Sequence, residues 1–150
     1  MSFRPAELLP HAPPMILLDE ILEVDDIRLV AALTVPERGL FNDSAYDGAV
    51  PAWVGIEYMA QSVAAHAGYR SRVVGEMPKI GFLLGARLYQ SNVSCFPCGT
   101  RLIISVEELM QAENGMAVYA ASIEADGILV QSRINGFQPS DSESFLRGDK

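Results

Sequence analysis

The segment PAWVGIEYMAQSVAAHAGYRSR, residues 51–72, decides how the rest of the chain is arranged. Apolar side chains recur so densely along it that nearly every side of a helix would be apolar, which is typical of a helix buried on most sides. Pro51 presets the φ angle of a first helical turn, and Arg70 and Arg72 suit the negative end of the helix dipole. The segment therefore predicts one long central helix.

One acid, Glu57, lies inside this apolar segment. An ionised carboxylate buried without a partner costs several kcal/mol, so we expect Glu57 to be enclosed beside a group that satisfies it. At about 100° per residue, Gln61 falls about 40° from Glu57, whereas His66 falls about 180° away. Glu57 and Gln61 can therefore share a pocket that His66 cannot join. The alternative role for Glu57 is structural, with its carboxylate bonded to backbone amides or to Gln61.

The composition indicates one compact domain. The chain has 150 residues, of which 49% are hydrophobic and 20% charged. It has neither a run of about 18 apolar residues nor a signal-peptide pattern, so we predict no membrane span and a cytoplasmic location. The formal net charge of −8 argues against nucleic acid as a general partner. We expect residues 1–138 to form the domain and the polar residues 139–150 to be a disordered tail.

Cys95 and Cys98 are the only cysteines, and they lie in the stretch SCFPCG. Two thiols and two distant histidines make a weak case for zinc, so we predict no metal and no cofactor. A redox-active pair is the alternative, but such pairs normally begin a helix, whereas this one precedes a strand-like run. Two reduced thiols are the favoured interpretation.

The remaining segments alternate as β-strands do. Strands are predicted over residues 20–25, 28–35, 80–90, 102–110, 116–125 and 128–138. Residues 36–50 have no apolar period and are predicted to be a loop that leads into the helix. An antiparallel sheet of about six strands has one face to bury and only one long helix to cover it, which predicts an α+β wrap of the sheet around the helix.

This order of elements is that of the hotdog fold, and three stretches resemble the bacterial 3-hydroxyacyl-acyl-carrier-protein dehydratases. They are LPHAPPMILLDEI at 9–21, GLFNDSAYDGAVPAWVGIEYMAQ at 39–61 and IGFLLGARLY at 80–89. The resemblance implies a lyase that acts on thioesters of an acyl carrier protein or coenzyme A. It also implies a homodimer or a heteromer with a related hotdog subunit.

In that family the carboxylate at the position of Glu57 acts with a histidine from the preceding loop, contributed across the dimer interface. The resemblance implies that Glu57 protonates the departing hydroxyl while amides after Pro51 hold the thioester carbonyl. The residues predicted to bind substrate are Pro51, Ala52, Trp53 and Gln61.

The family's loop histidine is absent here, and Asn42, Asp43 and Ser44 lie near its position. The sequence thus resembles a divergent group that includes the accessory dehydratase-type proteins of aryl polyene biosynthesis. A positioned base is worth about 10²–10⁴ in rate, so the family's mechanism does not transfer intact. Candidate replacements are Ser44 and His11; the alternatives are turn capping for Ser44 and Asp43 and packing for His11.

Three functions remain open from the sequence. The first is a dehydratase-like protein that acts on acyl thioesters in fatty acid or polyene biosynthesis. The second is a non-catalytic partner subunit of an active hotdog dehydratase, and the third is an acyl thioesterase in which Glu57 activates water. An acidic carrier protein could dock on basic residues of the surface, unless these are only solubilising charges; they are Arg70, Arg72, Lys79, Arg87, Arg101 and Arg133.

Overall fold

The computed structural model of the protein describes residues 2–9, 15–75, 82–112 and 115–137. Two helices are present in these ranges, α1 (Pro5–Leu8) and α2 (Gly55–Val73). The strands are β1 (Glu20–Val24), β2 (Arg28–Thr34), β3 (Val50–Pro51), β4 (Phe82–Ser91), β5 (Cys95–Phe96), β6 (Arg101–Gln111), β7 (Met116–Ala125) and β8 (Ile128–Phe137). The predicted tail, residues 139–150, lies outside the described residues.

Six strands form one antiparallel sheet in the order β1-β2-β6-β7-β8-β4. Helix α2 packs on one face of this sheet and contacts β2, β6, β7 and β8. Inward residues of neighbouring strands face each other, as Ala31 faces Ile104 and Ile104 faces Ile123, and all three are fully buried. The predicted α+β hotdog architecture is confirmed.

Both edges of the sheet are irregular. The register of β1 against β2 shifts between Ile21 and Glu23, and that of β4 against β8 shifts between Leu83 and Gly85 and again between Arg87 and Gln90. Such bulges bend a strand and interrupt its row of free backbone groups.

A second, two-stranded sheet joins β3 to β5 and was not predicted. Val50 faces Phe96 and Pro51 faces Cys95, and the Phe96 ring is fully buried. Cys95 and Cys98 are free thiols, and Cys98 Sγ donates a hydrogen bond to the Gly48 carbonyl at 3.3 Å. Strands of two residues are too short to show alternation, which is why residues 36–50 were interpreted as loop alone.

Helix α1 docks on α2 through backbone contact at Gly68. A Cβ atom at Gly68 would lie 1.8 Å from the Leu8 carbonyl oxygen, so only glycine permits this approach. Arg72 reinforces the contact, since its guanidinium lies 3.5 Å from the Glu7 carboxylate and 5.4 Å from the centre of the Phe3 ring. The N-terminal segment thereby covers part of α2 that the sheet does not reach.

Replacing Gly68 by alanine should therefore destabilise the protein. Helix propensity alone predicts a gain of about 1 kcal/mol, whereas the clash with the Leu8 backbone should lower the free energy of unfolding by about 1–3 kcal/mol. Urea denaturation measures the difference. Gly136→Ala is the matched control, because a Cβ there would meet only Val63 at an ordinary 3.9 Å. A Gly68→Ala protein more stable than wild type would contradict the packing.

His66 is buried in the core and bridges three segments. Its Nε2 lies 2.9 Å from the Asp25 carbonyl oxygen and its Nδ1 lies 2.8 Å from the Tyr119 hydroxyl. A carbonyl only accepts, so Nε2 carries the proton and Nδ1 accepts from Tyr119. Burial lowers the pKa of His66 from its usual 6.5, although the Asp25 carbonyl and the nearby Glu108 carboxylate act in the opposite direction. The imidazole is thus neutral in the folded protein at neutral pH.

Because the pKa of His66 is lowered in the folded protein, the free energy of unfolding should decrease as the pH decreases. Near and below pH 6.5 the unfolded chain binds a proton that the folded chain resists, so the free energy of unfolding should be lower at pH 5.5 than at pH 7.5. His66→Asn should flatten this dependence while His11, the other histidine, is retained. Urea midpoints at the two pH values provide the measurement, and an equal slope in the variant would exclude His66 as the cause.

Candidate active site

The start of α2 is fixed by two hydrogen bonds to Ala52. The Ala52 amide donates to the Ser94 carbonyl at 2.9 Å, and the Tyr89 hydroxyl donates to the Ala52 carbonyl at 2.5 Å. Burial raises the pKa of Tyr89 to about 12, so the phenol keeps its proton at neutral pH. Because the Ala52 amide is already engaged, it is not free to bind a thioester carbonyl. The next amide of the same turn, that of Trp53, becomes the candidate donor.

Tyr89 reaches Ala52 by crossing directly over Gly55. A Cβ atom at Gly55 would lie 2.2 Å from the Tyr89 hydroxyl and 3.0 Å from Ile123 Cδ1. Neither Gly55 nor Tyr89 was predicted to belong to the site. The sequence did contain an indication, because Gly55 lies within the predicted helix. Glycine in a helix costs about 1 kcal/mol relative to alanine, which suggests that another group approaches the helix closely at that position.

Glu57 lies in the first turn of α2 and is exposed, so the prediction that it is enclosed is wrong. Within the described ranges, no hydrogen bond or ion pair reaches its carboxylate. Trp53, one turn earlier on the same side of the helix, is 57% exposed. The apolar residues around Glu57 therefore do not close over it within one chain, and sequence pattern alone cannot separate burial within a chain from burial between chains.

Gln61 is buried but serves the N-terminal segment. The Leu17 amide donates to Gln61 Oε1 at 2.8 Å, and Gln61 Nε2 donates to the Met15 carbonyl. Both polar ends of this amide are thus engaged by backbone, and no hydrogen bond joins Gln61 to Glu57 in the described part of the chain. Substrate binding by Gln61 stays a prediction. His11 lies outside the described residues.

The loop before α2 is organised by Asn42 and Asp43. Asn42 Nδ2 donates to the Pro36 and Gly48 carbonyls at 2.8 and 2.7 Å, and Asp43 accepts from the Ala45 amide at 2.8 Å. Asp43 thereby caps a 3₁₀ turn over Ser44–Tyr46, as the capping alternative expected. Ser44 is exposed on this turn, and its hydroxyl has no hydrogen-bond partner among the described residues.

Two exposed apolar residues, Leu40 and Trp53, and the partly buried Phe41 lie in the segment that precedes Glu57; we call these three residues the loop patch. The rings of Phe41 and Trp53 pack edge to face with centroids 6.1 Å apart, and Leu40 is 60% exposed. Grouped exposed apolar residues mark interaction surfaces more often than scattered ones do. The helix face beyond Glu57 is also incompletely covered, since Ala60 and Ala64 are only half-buried.

Solved structures place this arrangement in the hotdog class. A thioesterase superfamily member 2 from zebrafish matches with a TM-score of 0.64 at 13% identity over 87% of this chain and 88% of that one. A hypothetical thioesterase protein from Streptococcus pneumoniae, solved with coenzyme A, matches with a TM-score of 0.59 at 16% identity over 79% and 84% of the two chains. At these identities the likeness shows the fold alone.

Two further comparisons identify the family of this chain and not only its fold. The model of the ApeP-like family, described as ApeP dehydratase, matches residues 3–147. A chain of the dehydratase heterocomplex ApeI:P from Xenorhabdus doucetiae is 30% identical over 100% of both chains, with a TM-score of 0.87. No curated protein matches the sequence. The protein belongs to the ApeP-like dehydratase family, which confirms the resemblance to the aryl polyene accessory dehydratases.

The described residues contain neither a helix that could span a membrane nor a cluster of metal-ligating side chains. None of the helices there combines the length and apolar character that crossing a bilayer requires. No three histidine, cysteine or acidic side chains in those ranges are grouped as a metal site would need. The cytoplasmic location stays a prediction.

Gly55 and Tyr89 should be energetically coupled. Gly55→Ala should cost about 1–3 kcal/mol through the clash with the hydroxyl, and Tyr89→Phe about 0.5–1.5 kcal/mol through the lost hydrogen bond. In the double variant the hydroxyl is absent, so the loss in free energy of unfolding should be clearly smaller than the sum of the losses in the two single variants. Urea denaturation of all four proteins measures the coupling, with Tyr69→Phe as a control. Costs that add within about 0.5 kcal/mol would contradict the geometry.

Proposed function

We propose that this chain is one half of a composite dehydratase and pairs with a hotdog subunit that supplies the catalytic histidine. The observation that carries the proposal is the exposed Glu57 carboxylate, which finds no partner among the described residues of its own chain. In the dehydratases that the sequence resembles, carboxylate and histidine meet across the interface. A chain that keeps the carboxylate and lacks the histidine can therefore complete one such site in a heteromer.

The reaction is the loss of water from a 3-hydroxyacyl thioester. The partner's base removes the proton from the carbon next to the thioester, and Glu57 donates a proton to the departing hydroxyl. The carbon–hydrogen and carbon–oxygen bonds break, the carbon–carbon double bond forms and water leaves. Amides of the short turn before α2 and of its first residues, beginning with that of Trp53, stabilise the negative charge that develops on the thioester oxygen. Pro51 and Trp53 shape the adjoining acyl site.

Three observations support a partner subunit. The loop patch leaves Leu40 and Trp53 exposed, the helix face beyond Glu57 is half-covered, and the similar chain from Xenorhabdus doucetiae belongs to a dehydratase heterocomplex. A standard interface buries about 800 Å² on each subunit, so a partner would cover this region together with more of the surface. The substrate would be carried by an acyl carrier protein or coenzyme A in fatty acid or polyene synthesis.

Replacing Glu57 by glutamine tests the proposal. The wild-type chain should co-purify with a hotdog protein that carries the loop histidine and is encoded beside it, and the pair should dehydrate 3-hydroxyacyl thioesters. Glu57→Gln keeps the shape of the side chain but removes its acid, so the rate should fall by about 10²–10⁴ while the complex stays assembled. Glu124→Gln, an exposed acid on β7, is the matched control and should change neither property.

The other outcomes separate the competing functions. Unchanged dehydration by a stable complex containing Glu57→Gln would make this chain a non-catalytic subunit. Release of free thiol from acyl thioesters, without loss of water, would indicate a thioesterase. Failure of every pairing to dehydrate any 3-hydroxyacyl thioester would overturn the proposal.

A further inference from the structure

A groove of about 400 Å³ crosses the outer face of the sheet, opposite α2. Its lining residues all belong to β2, β4, β6, β7 and β8, so it is separate from the site at the start of the helix. The floor consists of the small residues Ser105, Ala120 and Ser122, and longer polar side chains stand around it, among them Gln90 and Gln131. A volume of this size suits a small ligand.

One transverse row of this face concentrates positive charge; we call it the arginine row. Strand register aligns its five members across the sheet, in the order Arg28, Glu107, Ala120, Arg133 and Arg87. Neighbouring strands lie about 4.8 Å apart, so Arg133 and Arg87 are adjacent, and Arg28 lies three strands, or about 14 Å, from Arg133. The row carries three positive charges and one negative charge in a chain whose formal net charge is −8.

The arginines of the row have no carboxylate within ion-pair distance in the described part of the chain. Arg70, Arg72 and Arg101, by contrast, each lie within 4 Å of a glutamate. Arg133 directly opposes Arg87, and like charges in directly opposed cross-strand positions destabilise a sheet. An anion shared by the two guanidinium groups would remove this repulsion.

The backbone beside this pair is strained. Leu88 follows Arg87, lines the groove, is 74% exposed and has a φ of 58°, in the left-handed region that leucine rarely adopts. It lies in the bulge between Arg87 and Gln90. Strained residues and bulges are concentrated at functional sites, where they direct neighbouring side chains.

We propose that the groove binds a phosphoryl-bearing small molecule. The phosphoryl group is held by Arg133, which lines the groove, and by the exposed Arg87, which faces Arg133 at the groove's margin. Guanidinium groups form paired hydrogen bonds to phosphate oxygens, and Gln90 and Gln131 offer further amide donors in the next row. Glu107 repels an anion at the other end, which fixes the orientation. The remainder of the ligand lies over Ala120 and the two serines.

Calorimetric titration of the full chain with pyrophosphate and with ADP tests this inference. Both ligands should bind, and their affinity should decrease as the salt concentration increases, because the contact is between charges. The double variant Arg87→Gln, Arg133→Gln should lose about tenfold or more in affinity. Glu107→Gln should tighten binding about two- to fivefold, since a repulsive charge is removed. Tighter binding of ADP than of pyrophosphate would assign the groove to a nucleotide, and the reverse to a simpler phosphate compound.

Arg101→Gln is the control for general loss of charge. Arg101 lies on the same strand as Glu107, six residues and about 20 Å away, and pairs with Glu20, so affinity should not change. Equal affinity of wild type and the double variant would overturn the inference. Absence of binding at millimolar pyrophosphate and ADP would also overturn the inference. If the double variant then bound an acidic carrier protein more weakly than wild type does, the arginine row would be a protein-docking surface.

Discussion

The hydrogen bond from Tyr89 to the Ala52 carbonyl ties the edge of the sheet to the start of the helix. Strand β4 pairs with β8 alone in the sheet, and this bond joins it to the residues that lead into α2, beside the bond from the Ala52 amide to the Ser94 carbonyl. The link requires glycine at position 55, because any side chain there would displace the phenol. Closure of the sheet around the helix and placement of Glu57 therefore depend on the same contact. A change that loosens one disturbs the other.

Helix α2 also organises the N-terminal half of the chain through its buried polar and small positions. Gln61 holds the backbone of residues 15–17, His66 holds the turn at Asp25, and Gly68 admits α1. Each position serves a different segment, and all three lie on parts of the helix that the apolar pattern would have assigned to a uniform core. Buried hydrogen bonds of this kind are costly to leave unmade, so they specify one arrangement of the segments.

The positions of the long strands and of the helix along the chain could be predicted because burial of one sheet face and one helix imposes periodic patterns over long segments. The pairing of β2 with β6 and of β4 with β8 could not, since these strands are far apart in sequence. The hairpin between β7 and β8 follows directly from Asp126-Gly127, and Glu57 could be recognised as unusual in an apolar helix. The β3–β5 pair could not be predicted, since two residues carry no period. The partners of Gln61 and Tyr89 could not be predicted either, because they lie 44 and 37 residues away in sequence. Exposure of Glu57 depends on what covers the helix, which a single chain does not encode.

Irregular margins of the main sheet have a consequence for assembly. The bulges in β1 and β4 mean that neither margin presents a long, flat ladder of free amides and carbonyls. A flat ladder accepts almost any extended strand and then offers a new one, which is how fibrous aggregates grow. An interrupted margin accepts only a surface with matching interruptions. Both margins of the sheet are thus poor templates for open-ended addition of strands.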